Sequence, residues 1–230
     1  MVVDRSGMRA VLAALLILIV ARALPAGAKQ NGITGYSGKQ GATCNDDCHV
    51  GGVTPLVRFD GPQRVLADTI ATFRFVVTSQ AAKQKVAGFN VAADDGLLAV
   101  LPDQGERFEF DELTHDAPKP NVGSEASWLF TWHVPAQLGI YQLYGAGLSA
   151  NGNGTDGGDD SNLTTLSVTV TDQPVGDANC DTRVSAADTT AVVIQIPSAG
   201  VGACAGVDVN GDGVVDARDL GVLVAALFGD

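Results

Sequence analysis

Between residues 53 and 171 apolar side chains recur at a spacing of two, and no helical period of useful length appears. That spacing sends alternate side chains to opposite faces of an extended chain, so the stretch can bury one face and wet the other only as β-sheet. Phe73, Phe75 and Val77 alternate with Arg74 and Val76. Trp128, Phe130 and Trp132 share one face of a strand, Leu129, Thr131 and His133 share the other, and Pro135 ends it. Residues 86–93 and 97–101 are strand candidates parted by the turn signal Asp94-Asp95-Gly96, and residues 139–150 and 163–170 supply two more. About seven to nine short strands with turns between them predict an antiparallel β-sandwich over residues 51–171. A glycine count of 28 suits many turns better than a long helical bundle.

The N-terminal stretch reads as a secretory signal over residues 1–28. Arg5 and Arg9 give a positive start, residues 10–21 are an apolar run too short to span a bilayer, and Ala26-Gly27-Ala28 offers a cleavage site. The mature chain is expected to begin near Lys29 and to carry no membrane span. Arg22, just after the run, keeps an uncleaved anchor as the alternative. Export implies an extracellular, cell-surface or periplasmic protein in an oxidising compartment, where paired cysteines become disulfides or carry covalent haem. A formal net charge of -12 argues against nucleic acid and anionic membranes as partners.

Residues 29–43 are polar and glycine-rich and read as an extended, poorly ordered lead-in. They deliver the segment 29–50 to Cys44-Asn45-Asp46-Asp47-Cys48-His49. Covalent haem of the c type needs two thiols for the porphyrin vinyls and a neighbouring imidazole for the iron. The usual spacing is C-x-x-C-H, and here one more residue separates the thiols. The second reading is a Cys44–Cys48 disulfide closing a tight turn, with His49 incidental. Spacing by itself leaves both open. The loop 151–160 (NGNGTDGGDD) is turn chemistry throughout and reads as a solvated hairpin loop, since no fixed ligand spacing marks it as a calcium site.

Gly35-Tyr36-Ser37-Gly38, the Cys44 to His49 site, Gly88-Phe89-Asn90, Leu113-Thr114-His115, Trp128-Leu129-Phe130-Thr131-Trp132 and Ala150-Asn151-Gly152-Asn153-Gly154 together resemble a group of secreted bacterial proteins. These are the choice-of-anchor proteins, similar to reeler-type sandwiches. The resemblance covers roughly residues 32–171. It implies a C-x-x-C-H site, a sandwich and a variable C-terminal anchoring module, and it favours haem on Cys44, Cys48 and His49. The chain has three histidines, and its methionines, Met1 and Met8, both lie in the signal, so methionine is excluded as an iron ligand in the mature chain. His115 stands in a polar turn ahead of Pro118 and Pro120 and at the family-like position, so it is the expected sixth ligand. His133 reads as a structural or surface residue.

After Pro174 the pattern changes. Two twelve-position loops appear, 177–188 and 208–219. The first offers Asp177, Asn179, Asp181, Ser185 and Asp188 at positions 1, 3, 5, 9 and 12, with the Arg183 carbonyl at 7. The second offers Asp208, Asn210, Asp212, Asp216 and Asp219, with the Val214 carbonyl at 7. Such oxygen sets are what a hard cation requires, so two calcium ions are expected. Val184 and Val215 at position 8 suit a short β-bridge between the loops. Each loop opens a helix, 186–196 and 217–228, with apolar residues such as Leu220, Leu223, Val224 and Leu227 at helical spacing. Cys180 and Cys204 are expected to form a disulfide. With Asp at position 12 and no entering helix, residues 175–230 resemble a type I dockerin, the duplicated module that docks onto cohesin-bearing surface or scaffold proteins. The resemblance places partner contacts at positions 10 and 11, here Ala186-Ala187 and Ala217-Arg218.

The combined expectation is a secreted, surface-docked c-type haem sandwich for electron transfer or redox or gas sensing, with a redox partner and a calcium-dependent anchor. The alternatives are a non-enzymatic adhesion or ligand-binding protein with a Cys44–Cys48 bridge, or an accessory component of a polysaccharide-degrading assembly. Enzymatic activity is the reading least supported. A glycosidase needs two carboxyls across a cleft, whereas Glu106, Glu109, Asp111 and Glu112 fall in one acidic strand and turn that reads as solvated.

Overall fold

The computed structural model describes residues 29–198 and 204–228. The expected signal segment, 1–28, lies outside the described residues. Among those described, no helix is long and apolar enough to cross a membrane.

A short helix, α1 (Cys44–Asp47), leads into β1 (Val50–Gly51), β2 (Leu56–Asp60), β3 (Arg64–Leu66), β4 (Ile70–Thr78), β5 (Val86–Ala93) and β6 (Leu97–Val100). Then follow β7 (Glu106–Glu109), β8 (Glu112–His115), β9 (Lys119–Pro120), β10 (Glu125–His133), β11 (Gly139–Ala150) and β12 (Gly157–Thr171). They form two sheets. The larger has the order β1-β12-β11-β5-β8-β7, with β3 on β12 and β9 on β5; the smaller has the order β2-β4-β10-β6.

The alternation read from the sequence fixes which faces meet. Trp128, Phe130 and Trp132 are each fully buried, and they stand opposite Phe75, Phe73 and Ala71 of β4. Phe89 of β5 crosses from the larger sheet, its ring 4.5 Å from Trp128 and 5.9 Å from Phe75. Burying one such side chain contributes about 1.5–3 kcal/mol, so this aromatic layer is the main bond between the sheets. Close approach of the sheets also needs Gly145 and Gly147 on β11, because a Cβ on Gly145 would lie 2.3 Å from the Phe75 ring and one on Gly147 2.5 Å from Val57.

Three features differ from the expectation. First, the sandwich is not purely antiparallel: β1 and β3 both pair with β12 in parallel, at its two ends. β12 also begins at Gly157, well before residue 163, because its polar first half has partners to bury against. Second, the lead-in is ordered. Gly35 N–H donates to Glu112 Oε2 at 2.5 Å, Ser37 Oγ to Glu112 Oε1 at 3.0 Å, and Tyr36 N–H to Asn90 Oδ1 at 2.9 Å. Third, the acidic strand is not simply solvated. Glu112 is buried because it holds the lead-in, and Glu106 is buried with Oε1 accepting from Leu101 N–H at 3.1 Å.

Burial pushes the Glu106 carboxyl up to about 7, against partial opposing pulls from the Leu101 N–H and then Lys119. The folded state therefore holds a proton that the unfolded chain releases near pH 4.5, so stability falls as pH rises from about 4.5 to about 7. Glu106→Gln is expected to flatten that fall and to stabilise the sandwich above pH 7 by up to about 3 kcal/mol. Urea titrations at pH 5 and pH 8 check it; an unchanged difference between the two refutes the assignment.

The C-terminal residues build a second, separate apolar cluster of Ala178, Val192, Val207, Val209, Val215 and Leu223. It lies under α2 (Ala186–Gln195) and α3 (Ala217–Phe228). Ser185 caps α2, with Asp188 completing a capping box. Cys180 and Cys204 form the expected disulfide, their Cα atoms 5.7 Å apart. The bridge expected between Val184 and Val215 is not formed: Val215 turns into the small core while Val184 is exposed.

Candidate functional site

β5 is buried on both faces. Ala87, Phe89, Val91 and Ala93 point into the sandwich core, so Val86, Gly88 and Asn90 belong to the outer face. A strand in an antiparallel sheet needs that second burial only if something covers it. The cover is the lead-in, α1 and the His49 segment. Asn45, between the two cysteines, clamps α1 to β12. Its Oδ1 accepts from Ser161 N–H at 3.0 Å and Ser161 Oγ at 2.9 Å, and its Nδ2 reaches the Ser161 carbonyl at 3.3 Å and Asp160 Oδ1. Cys44 and Cys48 are half-buried and no disulfide joins them.

This arrangement places His49 and His115 in one pocket of about 240 Å³, walled by the apolar Val86, Leu148 and Pro118 and by the polar Lys29, Gln30 and Asp159. Both imidazoles are 8% exposed. The pairing of β5 with β8 ends at Asn90↔Thr114, and the His115 ring takes over the next backbone groups. Its Nδ1 lies 3.0 Å from Phe89 N and 3.2 Å from Phe89 O. With a bare Nδ1 the ring accepts from the Phe89 amide; with a protonated Nδ1 it donates to the Phe89 carbonyl and leaves Nε2 bare for a metal. Burial lowers the His115 pKa, which keeps the ring neutral, the form a metal needs. Gly88 makes the space: a Cβ there would lie 2.4 Å from His115 Cε1. Gly32 presses from the other side, where a Cβ would meet the His115 carbonyl and Thr114 Oγ1.

On the far wall stands Asp159, 3% exposed, its Oδ2 3.3 Å from His49 Nδ1. The loop before it is exposed, as expected, yet Asp159 itself is buried. The short motifs behind the family resemblance thus converge: the 35–38 turn on Asn90 and Glu112, Gly88-Phe89 on His115, and Asn151 on Asp159. His133 lies elsewhere, half-exposed beside Asp68. Asn45 and Asp159 carry no local signal in the sequence, and Glu112 reads there as solvated. The double burial of β5, legible as small and apolar residues on both phases of residues 86–93, was the signal that its outer face was covered.

The two C-terminal loops repeat one hydrogen-bond pattern. Asp177 accepts from the N–H groups of Asp181 and Thr182, and Asp208 from those of Gly211 and Gly213. Asp188 accepts from Ala178, Asn179 and Ser185, as Asp219 accepts from Asn210 and Asp216. Asn179 and Asn210 each reach the next ligand position, Asp181 or Asp212. Ser185 and Asp216 each cap the following helix, accepting from Ala187 and Arg218. The Arg183 and Val214 N–H groups donate to the Asp at position 5. Ala186, Ala187, Ala217 and Arg218 are all exposed, and the Arg218 guanidinium lies back over Asp212 at 3.3 Å and Asp216 at 3.7 Å.

Among the described residues, no three His, Cys, Asp or Glu side chains stand together as a metal-holding group. Cys48 directly precedes His49 in the chain, His115 shares the pocket with His49, and the buried His49 Nδ1 makes no hydrogen bond. Enclosed ligand sites usually measure roughly 300–1,000 Å³.

No family model matches the chain, and no curated protein does. Among solved structures it is similar to a cohesin module from a Clostridium perfringens family 33 glycoside hydrolase. The TM-score is 0.39 at 10% identity, over 50% of this chain and 96% of that one. It is also similar to a CARDB domain from Pyrococcus furiosus solved with di-metal ions, with TM-score 0.29 and 16% identity over 50% and 93% of the two chains. A DUF4466 family protein from Parabacteroides merdae gives 0.35 and 7% identity over 53% and 46%. Likenesses this distant carry no argument about function.

Proposed function

We propose that this chain is a secreted electron-transfer protein that carries covalent haem c on Cys44 and Cys48, with His49 and His115 as the two axial ligands. The observation that supports it is the meeting of two buried imidazoles, distant in sequence, in one pocket, with Cys48 next to His49 in the chain. When bound, haem would supply a one-electron iron couple. The chain's own residues do the rest. Asn45 holds the thiol-bearing turn on β12, and Gly88 and Phe89 seat His115. Were both imidazoles to ligate the iron, no position would stay open for a gas, and electron transfer is the favoured role.

In the same reading, residues 1–28 direct export, residues 51–171 are the haem-bearing sandwich, and residues 175–230 are a dockerin-like anchor that takes two calcium ions. That anchor would dock the sandwich on a cohesin-bearing surface protein, with a redox partner approaching the haem edge. The test is intact mass of the denatured protein after expression with a c-type maturation system. A retained haem mass and a low-spin spectrum, converted to high spin by His115→Ala, are expected. A bare polypeptide mass refutes the proposal.

A further inference from the structure

β12 runs for 15 residues, and β11 pairs with one edge of it in unbroken register from Gly139↔Val170 to Ser149↔Asp160. The other edge is covered only at its ends. β1 pairs there with Gly157 and Asp159, and β3 with Thr169 to Thr171. Between the two the chain departs to build β2 in the smaller sheet. Along an antiparallel strand the N–H and C=O of one residue point the same way, and successive residues alternate. The Ser161 N–H reaches Asn45 and the Thr169 N–H reaches the Gln63 carbonyl, both away from β11, so the odd-numbered residues address the outer edge. Asn162 Oδ1 accepts the Leu163 N–H at 2.9 Å. The Leu163 carbonyl, both backbone groups of Thr165 and the Ser167 N–H are left facing outward, and all three residues are exposed. Sheets commonly guard such an edge with a charge, a proline or a bulge. Residues 161–170 (SNLTTLSVTV) hold no charge and no proline, and the register has no bulge there.

We propose that residues 163–167 of β12 are a docking edge for an extended, uncharged segment of another protein, which adds to the larger sheet as a strand in line with β1 and β3. The open stretch accommodates roughly five residues, or about 17 Å of extended chain. A second copy of this chain does not fit. Its own β12, laid antiparallel along the same edge, would carry 15 residues through the space that β1 and β3 occupy. The occupant is therefore a short segment whose chain turns away at both ends. Backbone bonds supply the pairing whatever the sequence. Leu163, 41% exposed, and Leu166, packed against the core from the opposite face, favour β-branched and apolar side chains beside them. The edge offers a charged side chain no partner. Neither haem nor calcium enters the proposal.

The probe is a blocked seven-residue peptide of alternating valine and threonine, added to the full chain and followed by hydrogen exchange resolved by NMR. In the chain alone, the Thr165 and Ser167 amides should exchange at least about 100-fold faster than those of Thr164 and Leu166, which point to β11. Saturating peptide should slow Thr165 and Ser167 about tenfold or more. The same peptide N-methylated at alternate residues keeps its side chains, loses the donors that face β12, and should protect nothing. Thr165→Pro removes an outward N–H that β11 does not use, so the sheet should still form while peptide protection at Ser167 is lost. Slow exchange of Thr165 in the chain alone overturns the proposal, as does a peptide that protects neither amide or protects equally when N-methylated. The peptide arms decide the matter even if Thr165→Pro fails to fold.

Discussion

Gly88→Ala is expected to turn the haem-loaded protein from low spin to high spin and to cost the sandwich about 1–3 kcal/mol, the usual penalty of overpacking a filled interior. The added methyl would lie 2.4 Å from Cε1, 2.7 Å from Nε2 and 3.0 Å from Nδ1 of His115. The ring cannot yield sideways, because Phe89 grips its Nδ1 and Gly32 closes on the backbone behind it. The imidazole must therefore leave its slot, and a ligand displaced from its slot no longer reaches the iron. Absorption and electron paramagnetic resonance spectra read the first effect, and urea unfolding of the haem-free chain reads the second. Gly145→Ala is the control. It meets the Phe75 ring at 2.3 Å inside the core, so it should destabilise comparably and leave the spin state alone. The double variant Gly88→Ala with His115→Ala should recover part of the stability, since removing the ring removes the clash. A low-spin spectrum retained in Gly88→Ala would show that His115 is not the sixth ligand.

What the sequence revealed of this architecture follows from how local each signal is. The alternation through Trp128, Phe130 and Trp132 is a property of neighbouring residues, so the strand and its buried face were legible, and β5 and β11 begin and end where the pattern said. The helices after the two loops were legible for the same reason, each starting where an Asp or Ser can cap it. The lead-in was misjudged because its order is tertiary. Gly35, Tyr36 and Ser37 look like a flexible linker until Glu112 and Asn90 are brought beneath them. Asp159 and Asn45 were missed for a related reason. A carboxylate in a Gly-Gly-Asp-Asp turn is indistinguishable from a solvated one until β12 extends through it. The polar half of β12 buries its odd-numbered residues, Asp159 and Ser161, under the cover, while its apolar half buries the even-numbered Val168 and Val170 in the core. A single hydrophobic scan sees only the second half.

The C-terminal loops should not be equal, and chelation should melt them while the sandwich stays folded. Among the described residues, the cluster beneath α2 and α3 holds six buried apolar residues, Ala178, Val192, Val207, Val209, Val215 and Leu223, too few to fold a small unit without a staple. The Cys180–Cys204 bridge is one staple. Calcium, on the reading above, is the other. Asp177, Asp188 and Asp219 are fully buried, a cost that backbone amides offset and a divalent ion would offset further. Both loops need left-handed backbone at positions 4 and 6. The second loop supplies Gly211 at φ +73° and Gly213 at φ +82°, whereas the first forces Cys180 to φ +60° and Thr182 to φ +70°. A β-branched residue there is strained by about 1 kcal/mol or more, and loop 1 also has one carboxylate fewer, Ser185 standing where loop 2 has Asp216. The Arg218 guanidinium over Asp212 and Asp216 is an exposed pair of small worth and does not reverse that order. Calorimetric titration of the full chain should thus show a tighter phase that Asp208→Ala removes and Asp177→Ala spares. Thr182→Gly should tighten the weaker phase by about fivefold, the equivalent of about 1 kcal/mol of relieved strain. Loss of the tighter phase in Asp177→Ala would invert the ranking, and a module that survives chelation unmelted would mean that the disulfide and the small core suffice to hold it.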